Sequence, residues 1–149
     1  MEDKDLKIIV GRYLRRKRLH VSGDHSRVEI AYLAELNEDY LAEMERGEKL
    51  PTVQTLIKLS QPLHIPWEFV DSLTKDDNIK KALGNYLRGK RYEKGYNLKQ
   101  LSQLASVDDS YLSRIENGKS LPSLKILVNL SNHIHIPWEL LDEIKRKIE

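Results

Sequence analysis

Two stretches of this 149-residue chain repeat one another, and that duplication constrains the fold more than any other feature. Gly11-Arg12-Tyr13-Leu14-Arg15-Arg16-Lys17-Arg18 returns as Gly84-Asn85-Tyr86-Leu87-Arg88-Gly89-Lys90-Arg91, 73 residues later. Tyr40-Leu41, Glu45, Gly47, Leu50-Pro51, Leu56, Leu59-Ser60 and His64-Ile65-Pro66-Trp67-Glu68 return as Tyr111-Leu112, Glu116, Gly118, Leu121-Pro122, Leu127, Leu130-Ser131 and His135-Ile136-Pro137-Trp138-Glu139, now 71 residues later. The change of offset puts two extra residues in the first copy between its opening two helices. They fall within Leu19 to His25, where Ser22-Gly23-Asp24 reads as a loop. The expected division is therefore residues 1–73 and 77–149. Between them runs the polar linker Ser72 to Asn78, too short for two domains to wander far apart.

Helix signals recur about every dozen residues in the second copy. Ile79, Leu83 and Leu87 share one apolar face, and Gly95 stops that helix. Asn97 offers an N-cap to a helix with Leu98, Leu101 and Leu104 inward. Asp108 caps a third, which turns Tyr111, Leu112 and Ile115 inward and ends at Asn117-Gly118, a left-handed stop. Ser123 starts a fourth with Ile126, Leu127 and Leu130 inward, and Pro137 suits the first turn of a fifth. No stretch alternates like a strand, so each copy is expected to be an all-α domain of five helices.

Composition narrows the function. With 40% hydrophobic and 32% charged residues the chain reads as globular, and without cysteine it has no disulfide framework, thiolate metal site or cysteine nucleophile. Its apolar runs fall short of the ~18 residues a membrane span requires, and Met1-Glu2-Asp3-Lys4-Asp5 lacks the basic start of a secretion signal. The expectation is a cytoplasmic protein with no membrane partner. The net charge of +2 hides an asymmetry: residues 1–76 carry 12 basic and 14 acidic side chains, residues 77–149 carry 13 and 9. If one half meets phosphate, it is the second.

The run Tyr96-Asn97-Leu98-Lys99-Gln100-Leu101-Ser102-Gln103-Leu104-Ala105-Ser106-Val107-Asp108-Asp109-Ser110-Tyr111-Leu112-Ser113-Arg114-Ile115-Glu116-Asn117-Gly118 resembles the Cro/CI-like (Xre) helix-turn-helix family. Arg114-Ile115-Glu116-Asn117-Gly118-Lys119, followed by Leu121-Pro122-Ser123-Leu124-Lys125, is its most specific part. The likeness covers nearly all of residues 79–142, and the first copy shares it in outline as a degenerate version. It implies two tandem lambda-repressor-like domains in a transcriptional regulator that binds double-stranded DNA, more often a repressor than an activator. In that family the third helix lies in the major groove. Carried over by position, the DNA-binding set is Lys99, Asp109, Ser110, Tyr111, Ser113, Arg114, Asn117, Lys119 and Lys125. Arginine pairs with guanine O6 and N7, aspartate accepts from cytosine N4, and the lysines with Asn117 suit phosphates. Two departures stand out. Leu98 and Arg27 occupy the place of a glutamine that touches the DNA backbone, and Ser106 and Glu35 stand where the turn favours glycine, against a left-handed turn.

The third helix of the first copy, expected over Asn37 to Glu48, sets five acids against Arg46. Glu38, Asp39 and Glu43 would fall on its base-facing positions, where phosphate repels them. That surface is expected to serve a protein partner, a dimer mate or the second copy, or alternatively another regulator. Arg18 with Glu45 and Arg91 with Glu116 occupy matching places, and the resemblance implies partly buried ion pairs tying helix one to helix three. Arg15-Arg16-Lys17-Arg18 is no flat basic patch, because consecutive helical residues point about 100° apart. At most Arg12, Arg15 and Arg16 would share an edge. His64, His133 and His135 lack further ligands at metal spacing, so no metal or cofactor is expected. Trp67 and Trp138 read as anchors that pack the fifth helix onto its own domain, or the two domains together. No nucleophile with a base, phosphate loop or acid pair suggests an enzyme.

Overall fold

Polar side chains set most of the helix starts in this chain. In the computed structural model, which describes residues 2–21 and 26–148, ten α-helices are present and no strand among those residues, apart from one backbone bridge between Trp67 and Trp138. They are α1 (Asp3–His20), α2 (Arg27–Leu33), α3 (Glu38–Glu45), α4 (Val53–Ser60), α5 (Glu68–Asp71), α6 (Ile79–Lys94), α7 (Leu98–Ala105), α8 (Asp109–Glu116), α9 (Leu124–Ser131) and α10 (Glu139–Ile148). Ser26, Asn37, Thr52, Asn78, Asn97, Asp108 and Ser123 each accept a hydrogen bond from a backbone N–H of the first turn they precede. At α7 the bond is reciprocated by Gln100, completing a capping box. In the inserted loop, Ser22 to His25 lie outside the described residues.

The chain forms two units, residues 1–67 with 138–149, and residues 68–137. This division does not coincide with the boundary expected at 73–77. The first unit holds α1 to α4 and takes α10 as its last helix, while the second holds α5 to α9. Each unit thus holds the helix that follows the Ile-Pro-Trp stretch of the other repeat.

In the first unit α10 packs on α1, and the reason is visible at its start. The buried Tyr13 hydroxyl donates to Glu139 Oε1 at 2.7 Å, Lys17 Nζ lies 2.6 Å from the same oxygen, and Arg16 Nη1 is 3.2 Å from Glu143 Oε2. Leu140, Leu141 and Ile144 are fully buried. Trp67 and Trp138 stack with ring centroids 3.7 Å apart and planes 8° from parallel, and Glu139 N–H donates to the Pro66 carbonyl at 2.9 Å. The tryptophans are anchors, yet the helix they begin is not seated on its own copy. Pro137 lies two residues ahead of α10 rather than in its first turn.

The second unit repeats this chemistry with α5. Tyr86 donates to Glu68 Oε1 at 2.7 Å, Lys90 Nζ sits 2.9 Å from that oxygen, and Phe69 packs against the Tyr86 ring. Its core comprises Leu83, Leu87, Leu101, Leu112, Ile115, Leu124, Leu127 and Leu130. Leu104, expected inward, is 47% exposed, and Tyr111 and Ile126 are only half-buried. An apolar spacing marks a face, but the eight-residue α7 turns its last leucine past the edge of the core.

Candidate nucleic-acid interface

The position of α8 is set from behind by α6. A Cβ on Gly84 would lie 2.8 Å from the Glu116 carbonyl oxygen and nearer still to that of Ile115, so only glycine permits this approach. Gly11 stands in the same relation to Met44 and Glu45 in the first unit. An ion pair then locks each crossing. Arg91 Nε and Nη2 each donate to Glu116 at 2.8 Å, and Nη1 donates to the Tyr96 carbonyl at 2.9 Å. Arg18 grips Glu45 through Nε at 2.7 Å and Nη2 at 2.8 Å. The carboxylate hydrogen bond raises each guanidinium's pKa against the opposing effect of burial.

The turn joining α7 to α8 is left-handed without glycine. Ser106 has φ 56° and ψ 43°, and Glu35 at the matching place has φ 57°. The expectation drawn from their side chains is corrected here: the turn geometry holds, at about 1 kcal/mol for a residue with a Cβ. Val107, just beyond, is buried and donates its N–H to the Ser102 carbonyl at 2.9 Å, which fixes the turn against α7.

Outward from this frame, Lys99, Asp109, Ser110, Arg114, Asn117, Lys119 and Lys125 are exposed, and Tyr111 and Ser113 half-buried. Arg114 lies over the Tyr111 ring, 5.5 Å from its centroid, so its fork is steadied while it stays accessible. Asp109, Ser113 and Asn117 are engaged within the protein. The Asp109 carboxylate is hydrogen-bonded to the buried Ser102 hydroxyl, and Asn117 accepts from Arg88 Nη2 at 2.8 Å and donates to Ser113 Oγ at 3.3 Å. Arg88, which also lies 3.4 Å from Glu116, is a residue the sequence reading missed. Its position on α6, one turn before Arg91, was the available signal.

The equivalent surface in the first unit is acidic, though less than a charge count over 37–48 suggests. Helix α3 ends at Glu45, and Glu45 is buried with Arg18. Glu43 lies 3.3 Å from Lys49 Nζ, and Arg46 pairs with Glu48. Glu38 and Asp39 remain exposed in the first turn of α3. In the basic run of α1, Arg18 is buried and Lys17 is paired with α10, while Arg15 and Arg16 are exposed with Arg12, Arg16 being paired with Glu143. No group of His, Cys, Asp or Glu placed to hold a metal occurs among the described residues, and no helix there is long and apolar enough to cross a membrane.

Residues 86–141 match a family model described as helix-turn-helix. The chain is also similar to the transcriptional regulator ClgR from two strains of Mycobacterium tuberculosis, each 34% identical over 63 residues, or 42% of this chain and 56% of the relative. The chain therefore spans little more than half the length of these curated relatives. No solved structure matches it. Residues 86–141 are thus similar to a helix-turn-helix model, and within them α7, the turn at Ser106 and α8 follow one another as helix, turn and helix.

Proposed function

We propose that the chain is a sequence-specific DNA-binding regulator of transcription, a repressor rather than an enzyme, which reads the major groove with α8. The observation that carries this reading is the exposed face of α8. Ser110 and the aromatic-backed Arg114 are exposed on it and are assigned to base edges by their position in the third helix, and the exposed Lys99, Lys119 and Lys125 are assigned to phosphates. The unit that presents it, residues 68–137, carries 11 basic against 8 acidic side chains, a net +3, while the rest of the chain carries 14 against 15. Asp109, bonded back to Ser102, takes a smaller part in base reading than its position implies. The first copy, with Glu38 and Asp39 in the corresponding place, faces a protein partner. A homodimer of the chain would span half-sites about 34 Å apart or a multiple of that distance.

Selection of bound duplexes from a random pool by the full chain tests this. One sequence preference is expected. Arg114→Ala should weaken the selected site by about 1–3 kcal/mol and relax one base position, while Lys119→Ala weakens all duplexes alike and lowers the salt slope by about one. The acidic α3 favours a second reading, an antagonist that covers the basic surface of another regulator. In that case duplex binding stays weak and unspecific even at low salt, and a basic regulator co-purifies.

A further inference from the structure

We infer that the outer face of α2 is a docking surface for a basic amphipathic helix of a protein partner. Val28 and Tyr32 lie one turn apart on α2, exposed by 60% and 77%, with Leu33 next to Tyr32 at 54%. A single exposed apolar side chain means little, but three on one short helix form a patch. Comparison of the two copies sharpens the point. The places of Val28 and Tyr32 are held in the second copy by Lys99 and Gln103, polar residues that suit a phosphate backbone. The first copy has exchanged that chemistry for apolar surface while keeping the α2–turn–α3 backbone, including the left-handed Glu35.

The patch runs into acid. Glu35 in the turn and Glu38 and Asp39 at the start of α3 are exposed; of the cations on these helices and the loop after them, Arg46 pairs with Glu48 and Lys49 with Glu43, while Arg27, which opens α2, reaches back to the buried Glu45 at 4.0 Å. An apolar stripe bordered by carboxylates is complementary to a helix whose apolar face is flanked by lysine or arginine. A second copy of this chain does not meet that demand. A two-fold contact through the same face would set Glu38 and Asp39 against their own mates. The inference rests on the reading that the first copy does not face DNA.

The test uses the full chain and two synthetic helical peptides of about 18 residues with the same leucine stripe, one flanked by lysines and one by glutamates. Fluorescence anisotropy should show binding of the lysine peptide only, with amide shifts in the NMR spectrum confined to α2 and the start of α3. The double variant Val28→Ser, Tyr32→Ser, whose surface changes leave the melting curve in place, should weaken binding about tenfold or more. Glu38→Gln with Asp39→Asn should weaken it severalfold and flatten its salt dependence. Equal binding of both peptides, shifts located elsewhere, affinity untouched by the Val28 and Tyr32 changes, or a dimer in sedimentation that those changes abolish would each overturn the inference. Loss of duplex binding in the Glu38 and Asp39 variant would instead refute the underlying reading that this copy stays off DNA.

Discussion

Arg91 and Glu116 meet through two charge-assisted bonds in a setting where neither side chain has much water, at 9% and 3% exposure. Removing Arg91 leaves the buried Glu116 carboxylate to the longer contact with Arg88 at 3.4 Å, so Arg91→Ala should lower stability by about 3 kcal/mol. Chemical denaturation reads this directly, and an unmoved midpoint refutes it. The tyrosines give a second residue-scale prediction. Burial and a hydrogen bond to Glu139 push the Tyr13 hydroxyl far above its ordinary pKa of 10.0, and burial with Glu68 does the same for Tyr86. The unfolded chain releases these protons near pH 10 and the folded one retains them, so stability is complete below pH 10 and falls as pH rises beyond it. Tyr13→Phe should flatten that alkaline slope in a series of melting curves. The ion pairs were legible because identical residues recur at matching places. The bonds from Arg88 to Asn117 and from Ser102 to Asp109 were not, since they depend on a few tens of degrees of helix rotation that apolar periodicity leaves open.

Among the elements, α8 has its placement controlled by Gly84. Gly84→Ala drives a methyl into the backbone of Ile115 and Glu116, and α6 and α8 must part to admit it. A loss of about 1–3 kcal/mol is expected, as for other overpacked contacts, and under the proposed function weaker duplex binding as the exposed face of α8 tilts. Wild-type thermal stability in that variant would contradict the close approach. Helix starts were the most legible feature, because a cap is a local bargain between one side chain and the turn that follows it. The turn at Ser106 is the opposite case. Its left-handed backbone is imposed by buried Val107 and the packing of α7 on α8, and these outweigh the serine's own preference.

At the scale of the molecule, the repeat in the sequence pointed to a division of the chain but not to which last helix each part would hold. His-Ile-Pro-Trp-Glu occurs in both copies, and the tyrosine and lysine that receive the glutamate, Tyr13 with Lys17 and Tyr86 with Lys90, are also the same. A pattern present twice cannot say which instance goes where. Deleting residues 138–149 should therefore damage the first unit, stripping Leu140, Leu141 and Ile144 from α1 at roughly 2 kcal/mol per side chain. Hydrogen exchange should show protection lost across α1 and kept across α6 to α9; uniform loss would refute the division at 67 and 138. The same arrangement reverses the usual order of events on the ribosome, where the segment made first tends to settle first. Residues 68–137 have every helix of their unit once Pro137 has been added, whereas residues 1–67, translated earlier, wait with an uncovered flank until α10 emerges. A nascent chain halted between these points would display a finished helix-turn-helix segment beside an unfinished neighbour.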